Sequence, residues 1–362
     1  MHEFMTFILD APGGILYCLG LLAIGIWLLT KGGGYLVTGG LGLAKQLNIK
    51  TMVVGLTIIA FSTSSPELAF NVFAASGGYG EITIGNIFGS NIANLALILG
   101  IGALVHNSVR RKRGETEGTP IDRLFLKKEG AWLLGATFGV FLLTTAILVW
   151  GNNSESWLQL NWGWGLFILF IFIVFFWHVV VHNSHSNKKV EGNNDDKISK
   201  DCSLSKAILL LIGGLLLLTL GGKATEIGAV VGARIIGISE MFIGVTIVAI
   251  ATSLPELVTT IIAAKRDEAD LIWGNIVGSN LFNILFVLPI ALVVAAVAGG
   301  GFIEIPSPSY EPWFYMAVML FVTCIAWIMM WRKDDITDKE GYSLVGIYVV
   351  FLIVATIWKS IG

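Results

Sequence analysis

"GLTIIAFSTSSPELAF", residues 55–70, places a proline, a glutamate and a row of hydroxyls inside an otherwise oily run. "GVTIVAIATSLPELVT", residues 244–259, repeats the pattern. Laid over one another at a constant offset of 189, residues 55–94 and 244–283 agree at 18 of 40 positions without a gap. The identities include TS-x-PE (Thr63, Ser64, Pro66, Glu67; Thr252, Ser253, Pro255, Glu256) and GN-x-x-GSN-x-x-N (Gly85, Asn86, Gly89, Ser90, Asn91, Asn94; Gly274, Asn275, Gly278, Ser279, Asn280, Asn283). Two unrelated apolar helices share Leu, Ile and Gly by chance, but not this polar pattern, so the chain carries an internal duplication.

The surroundings are those of a membrane protein. Of 362 residues, 55% are hydrophobic and 13% charged, with a mean hydropathy of +0.79; a soluble domain of this length needs far more polar surface. A span takes about 20 apolar residues, and ten such runs are expected, near 14–38, 51–76, 82–105, 130–150, 161–183, 206–232, 240–264, 271–299, 312–331 and 343–361. The fold class is therefore all-α and polytopic. The start, MHEFMTFILD, has no basic lead before the first apolar run, so that run is expected to be retained as a span rather than cleaved as a signal peptide.

The first motif occupies spans two and three, and the second occupies spans seven and eight. Five spans separate equivalents, an odd number, so the copies enter from opposite faces, a plan typical of secondary transporters. The expected organisation is a five-helix repeat over 1–183 (motif 55–94), a cytoplasmic linker over 184–205, and a second five-helix repeat over 206–362 (motif 244–283). Lys and Arg divide unevenly between alternate loops, 19 on one side against Arg234 and Lys359 on the other, with Lys31 and Lys223 inside spans. The positive-inside rule then makes the basic side cytoplasmic and puts both termini outside.

The motif chemistry is that of hard oxygen. Proline has no N–H and crowds the carbonyl four residues back, which frees the carbonyls of Ser62 and Ala251. Within lipid such groups persist only where something buried satisfies them, and a cation is one such partner. Hydroxyls of Thr63, Ser64, Thr252 and Ser253 and carboxylates of Glu67 and Glu256 suit Ca²⁺ or Na⁺; zinc or copper would call for His or Cys. A carboxylate at the bilayer centre is costly unless neutralised. One Ca²⁺ balances the Glu67/Glu256 pair, and so do two Na⁺ or two protons, which is a physical basis for exchange. Asn94 and Asn283 offer neutral carbonyls near the middle of spans three and eight, with Ser90 and Ser279 one turn earlier on the same face. The glycines at 85, 89, 274 and 278 permit close helix approach.

At these residues the chain resembles the sodium/calcium exchangers of the cation/calcium antiporter superfamily, whose paired alpha repeats read here TSSPE with GNIFGSNIAN and TSLPE with GNIVGSNLFN. The resemblance implies a Ca²⁺ site of Glu67, Glu256 and the backbone carbonyls of Thr63 and Thr252. It implies Na⁺ sites from Ala60, Ser64, Ser90 and Glu67 in one half and Ala249, Ser253, Ser279 and Glu256 in the other, with Asn94 and Asn283 lining the middle. Spans one and six, with glycines at 32–34 and 221–222, would slide to alternate access. Several relatives carry Asp where this chain has Asn283, which argues against potassium co-transport. The central linker is too short for the regulatory domains of animal exchangers, so a minimal, prokaryotic-type member is expected.

The expected function is Na⁺/Ca²⁺ antiport across the cell membrane, with a Ca²⁺/H⁺ exchanger using the same glutamates as the alternative. No nucleotide loop, nucleophile with base or redox motif suggests an enzyme. The ions are the substrates and no cofactor is implied. The lipid bilayer is the surrounding partner, with no nucleic acid and no obligate protein partner evident. The three cysteines lack disulfide or metal spacing. His178, His182 and His185 read as a solvated helix end, and Lys223 with Glu226 as an intrahelical pair.

Overall fold

The computed structural model describes residues 13–115, 118–150, 156–183, 202–236, 249–300, 302–306, 311–333 and 335–361. In chain order the helices are α1 (Gly14–Leu47), α2 (Thr51–Thr63), α3 (Ser65–Ser76), α4 (Ile82–Lys112), α5 (Arg123–Ala146), α6 (Trp162–Asn183), α7 (Leu204–Ile235), α8 (Ala249–Thr252), α9 (Leu254–Lys265), α10 (Ala269–Ala298), α11 (Glu311–Lys333) and α12 (Asp338–Ile361). Among the described residues eight helices are long and apolar enough to cross a membrane, and the α2–α3 pair, bent by 44° at Ser64, makes a ninth. The expected span 240–264 begins outside the described residues, and α8 and α9 are its described part.

Several helices outrun their apolar windows. The first, expected over 14–38, continues to Leu47, where Asn48 turns left-handed (φ 52°) and its amide bonds back to the carbonyls of Ala44 and Lys45. The run expected from 130 starts at Arg123, because Asp122 caps it by accepting from the Leu124 amide at 2.7 Å. Ser203 caps α7 in the same way through the Lys206 amide, so Leu204 and Ser205 are helical although they close the expected linker; the linker's residues 184–201 lie outside the described set. Hydropathy locates lipid, whereas capping chemistry decides where a helix stops.

Burial sorts the helices. The best apolar windows of α4 and α10 are 83% and 61% buried inside the protein, against 22–33% for the other single helices, so these two form the centre. They run antiparallel: Asn91 meets Asn280 and Asn283, while a Cβ on Gly102 would touch Thr260 and Ile272. Helix α2 packs parallel to α10 through glycine, with Gly55 on Gly274 and Gly278 against Leu56 and Ala60. For Gly85 and Gly89 no described residue approaches within 4 Å of an added Cβ; the stretch equivalent to their partners begins outside the described residues, so close approach is seen only for Gly274 and Gly278 of that set.

Outside this centre α1 and α7 lie antiparallel along nearly their whole length. Their seam is a seven-residue glycine repeat that itself obeys the 189 offset: Gly25, Gly32 and Gly39 answer Gly214, Gly221 and Gly228. An added Cβ would stand 2.8 Å from the Leu218 amide nitrogen at Gly32 and 2.8 Å from that of Leu29 at Gly221, so backbone meets backbone. Two short antiparallel ribbons tie the loops: β1 (Thr119–Pro120) with β4 (Asp335–Ile336), and β2 (Ser156–Asn161) with β3 (Phe302–Pro306). Strand β3 lies in the Gly/Pro-rich segment between α10 and α11.

Candidate functional site: two broken helices and a buried carboxylate pair

Each TS-x-PE motif interrupts a helix at the same place. Ser64 (φ −86°, ψ 3°) separates α2 from α3, and Ser253 (φ −90°, ψ 6°) separates α8 from α9. Pro66 and Pro255 then sit in the first turn of the following helix, where a missing N–H costs nothing. Glu67 and Glu256 occupy that same turn, where the positive end of the helix dipole favours a carboxylate. The ends of α2 and α8, Ala60–Thr63 and Ala249–Thr252, aim their last carbonyls toward the break. The Ala60 carbonyl already accepts from the Ser64 amide at 2.9 Å and lies 3.2 Å from the Thr63 hydroxyl oxygen.

The two glutamates are each 1% exposed and lie close enough to interact electrostatically. Ser64 donates to Glu256 Oε1 at 3.1 Å, a bond from the first motif to the second. Thr63 Oγ1 contacts Asn275 Oδ1 at 3.1 Å and Ser279 Oγ at 3.3 Å. Its equivalent, Thr252, accepts from Asn86 Nδ2 at 3.2 Å. Each broken helix is thus held by the asparagine that opens the other repeat's GN-x-x-GSN segment.

Around these bonds lies a set of oxygens that find no hydrogen-bond partner among the described residues: both of Glu67, Oε2 of Glu256, the hydroxyls of Ser90 and Ser253, and Oδ1 of Asn94 and Asn283. Buried polar atoms are ordinarily paired. A cluster of orphaned oxygens carrying two carboxylates is chemically suited to a desolvated Na⁺ or Ca²⁺. Among the described residues no group of three or more His, Cys, Asp and Glu gathers as a metal site, so hydroxyls, amides and carbonyls must complete the shell of any ion held here.

The twelve positions proposed from sequence fare unequally. Direct bonds link Thr63 with Ser279, and Ser64 with Glu256. Ser90, Asn94 and Ser253 are buried but have no hydrogen bond from these side-chain oxygens among the described residues. Asn94 and Asn283, both buried, differ in their bonding: Asn283 Nδ2 donates to Asn91 Oδ1 at 3.1 Å, while both amide atoms of Asn94 lack a hydrogen-bond partner among the described residues. Ala249 opens α8 at the position equivalent to Ala60. Sequence reasoning passed over Asn71, Asn86, Thr260 and Asn275 as site residues. The duplicated GN pair and the polar residue four places after each glutamate were the available signal.

Of the peripheral features, Lys223 Nζ reaches both oxygens of Glu226 at 2.7 and 2.8 Å, as expected from their spacing. His178 packs on the Trp132 ring at 6.2 Å between centroids, and His185 lies outside the described residues.

Known proteins resemble this chain in sequence and fold. A family model described as sodium/calcium exchanger protein matches residues 17–181 and 206–357. The sodium/calcium exchanger MaX1 of Methanosarcina acetivorans is 29% identical over 359 residues, covering 92% of this chain and 97% of that protein. The inner membrane protein YrbG of Escherichia coli is 29% identical over 356 residues, covering 93% and 96%. Among solved structures, the sodium-calcium exchanger NCX_Mj, soaked with Na⁺ and Sr²⁺, matches with a TM-score of 0.73 at 25% identity, over 93% of this chain and 97% of that one.

Proposed function

This chain belongs to the sodium/calcium exchanger protein family, and we propose that it exchanges Na⁺ for Ca²⁺ across the cell membrane at one site built on Glu67 and Glu256. Cation antiport follows from the family; the site, the sodium coupling and the arrangement in the membrane are our reading. The observation that carries it is the pair of buried carboxylates at the crossing of two broken helices, ringed by oxygens without partners. Ca²⁺ would engage Glu67, Glu256 and the carbonyls of Thr63 and Thr252. Na⁺ would engage Ala60, Ser64, Ser90 and Glu67 on one side and Ala249, Ser253, Ser279 and Glu256 on the other, with Asn94 and Asn283 lining the middle. Either filling neutralises the carboxylates, so the loaded carrier crosses easily while the empty one stays charged and reluctant to move.

The halves are arranged as inverted five-helix repeats over 1–183 and 206–362, joined by a cytoplasmic linker, with both termini outside. Antiparallel packing of α1 on α7 and of α4 on α10 supports this, since repeats related by an in-plane axis must oppose equivalent helices. The glycine seam lets α1 and α7 move as one slab across the core, exposing the site to one side and then the other.

The test is ⁴⁵Ca uptake into proteoliposomes under an imposed Na⁺ gradient, and then under a pH gradient alone. Uptake is expected to follow Na⁺. Calcium movement driven by protons and indifferent to Na⁺ would replace this reading with a Ca²⁺/H⁺ exchanger using the same glutamates.

A further inference from the structure

The duplicated site is asymmetric, and the asymmetry has a local cause. Two three-membered relays are related by the 189 offset: Asn71–Asn86–Thr252 and Thr260–Asn275–Thr63. In the first, Asn71 Nδ2 donates to the Glu67 carbonyl at 2.7 Å and to Asn86 Oδ1 at 2.8 Å, and Asn86 Nδ2 donates to Thr252 Oγ1 at 3.2 Å. In the second, Thr63 Oγ1 donates to Asn275 Oδ1 at 3.1 Å, and Asn275 Nδ2 donates to Thr260 Oγ1 at 3.2 Å. Protons therefore point toward the threonine of one motif and away from the threonine of the other.

The first direction is forced by chemistry. A backbone carbonyl only accepts, so Asn71 must turn its NH₂ toward Glu67. That NH₂ also faces Asn86, which must answer with its oxygen, and the NH₂ of Asn86 is left pointing at Thr252. Nothing equivalent fixes Asn275, because Thr260 is a hydroxyl able to donate or accept. Asn71 also leaves its own Oδ1 buried without a partner among the described residues, a desolvation cost that a threonine, as at 260, would avoid.

The geometry points to Asn71 as the positioning residue that makes the two cation half-sites unequal, by locking the Asn86 amide with its positive end toward the second motif's break. It rests on the Na⁺/Ca²⁺ reading above. A cation near Thr63 meets the negative end of the Asn275 amide, whereas one near Thr252 meets the positive end of Asn86. In a buried site, where fields are weakly screened, the first half binds its ion more tightly than the second.

The test exchanges the two polar residues and reads half-saturating Na⁺ and maximal rate separately, from Na⁺-driven ⁴⁵Ca exchange in proteoliposomes. Asn71→Thr frees Asn86 to turn its oxygen toward Thr252, so half-saturating Na⁺ falls about three- to tenfold, the scale of one hydrogen bond. Thr260→Asn locks the second relay as the first is locked, so half-saturating Na⁺ rises by a similar factor. The double swap leaves one locked and one free relay and returns near the wild-type value. A packing role would shift both single variants the same way and make the double worse. Shifts of one sign, no shift, or no recovery in the double overturns the inference. Should Thr260→Asn not fold, Asn71→Thr decides alone, and an unchanged or raised half-saturation refutes the assignment. Exchange that survives in both Glu67→Gln and Glu256→Gln would sink the site reading itself; dead glutamate variants with failed swaps sink only this inference.

Discussion

Replacing Gly32 by alanine tests the seam between α1 and α7 most directly. The new Cβ would stand 2.8 Å from the Leu218 amide nitrogen and 3.0 Å from the Gly214 carbonyl oxygen, where ordinary contacts begin at 3.4 Å. Both neighbours are backbone, so no rotamer relieves the clash and the helices must part by roughly 0.6 Å at that level. Overpacking of this kind costs about 1–3 kcal/mol, while alanine in a helix regains about 1 kcal/mol over glycine. The same gain without the clash comes from Gly20→Ala, where nothing lies within 4 Å of the added carbon. The difference between the two variants isolates the contact. Thermal melting of the detergent-purified proteins should place Gly32→Ala clearly below Gly20→Ala, and Gly32→Ala should also exchange Ca²⁺ more slowly at saturating Na⁺. Equal melting points and equal rates would refute close backbone contact as the basis of the seam.

The carboxylates and the turn after α9 give three further expectations. Glu67→Gln and Glu256→Gln should each abolish Ca²⁺ exchange, by roughly 100-fold or more given the cost of leaving a divalent charge half-balanced, with little loss in melting temperature. Arg266 donates to Thr38 Oγ1 at 2.9 Å and to the Gly34 carbonyl at 3.4 Å, pinning α1 to the end of α9; Arg266→Ala should lower the melting temperature more than Thr38→Ala, which removes only one acceptor. Asp267 holds a left-handed φ of 64° and pairs with His106 at 3.0 Å and Arg113 at 2.7 Å. Asp267→Asn, which tolerates that backbone, should be destabilised less than Asp267→Val, whose branched Cβ does not, by about 1–3 kcal/mol in denaturation.

Much of this was legible in the chain before any coordinates. The TS-x-PE breaks, the buried glutamates and the paired motifs lie where duplication and intramembrane charge placed them, because lipid leaves a polar residue few reasons to be present. Helix ends were legible only in part: Leu47, Arg123 and Asp338 lie beyond the apolar windows, and their positions follow from capping and loop contacts that hydropathy does not record. The seven-residue glycine spacing of α1 and α7 was in plain view, but only an antiparallel partner shows that it serves close approach of backbones. The cross-repeat bonds of Asn86 and Asn275 could not be read at all, since a motif names which residues are polar without saying which repeat they serve.

Symmetry and its breaking together bound what this carrier can do. With carboxylates at 67 and 256 and neutral amides at 94 and 283, the proposed site would carry a fixed charge of −2, one from each half. One Ca²⁺ cancels that charge and two Na⁺ cancel it equally, so a third Na⁺ would travel as net positive charge. Exchange of three for one must therefore respond to membrane potential, by about 2.3 kcal/mol per 100 mV for each uncompensated charge, whereas exchange of two for one must not. Restoring a carboxylate with Asn283→Asp adds the missing counter-charge beside Asn91, whose Oδ1 now accepts from Asn283. That variant loses this bond unless its carboxyl is protonated, so a reversal potential measured in wild type and Asn283→Asp reads the ion count and the protonation state of the added group together. Wild-type exchange that carries no current and does not change with membrane potential fixes the count at two Na⁺ per Ca²⁺, and the neutral asparagine pair is then the reason.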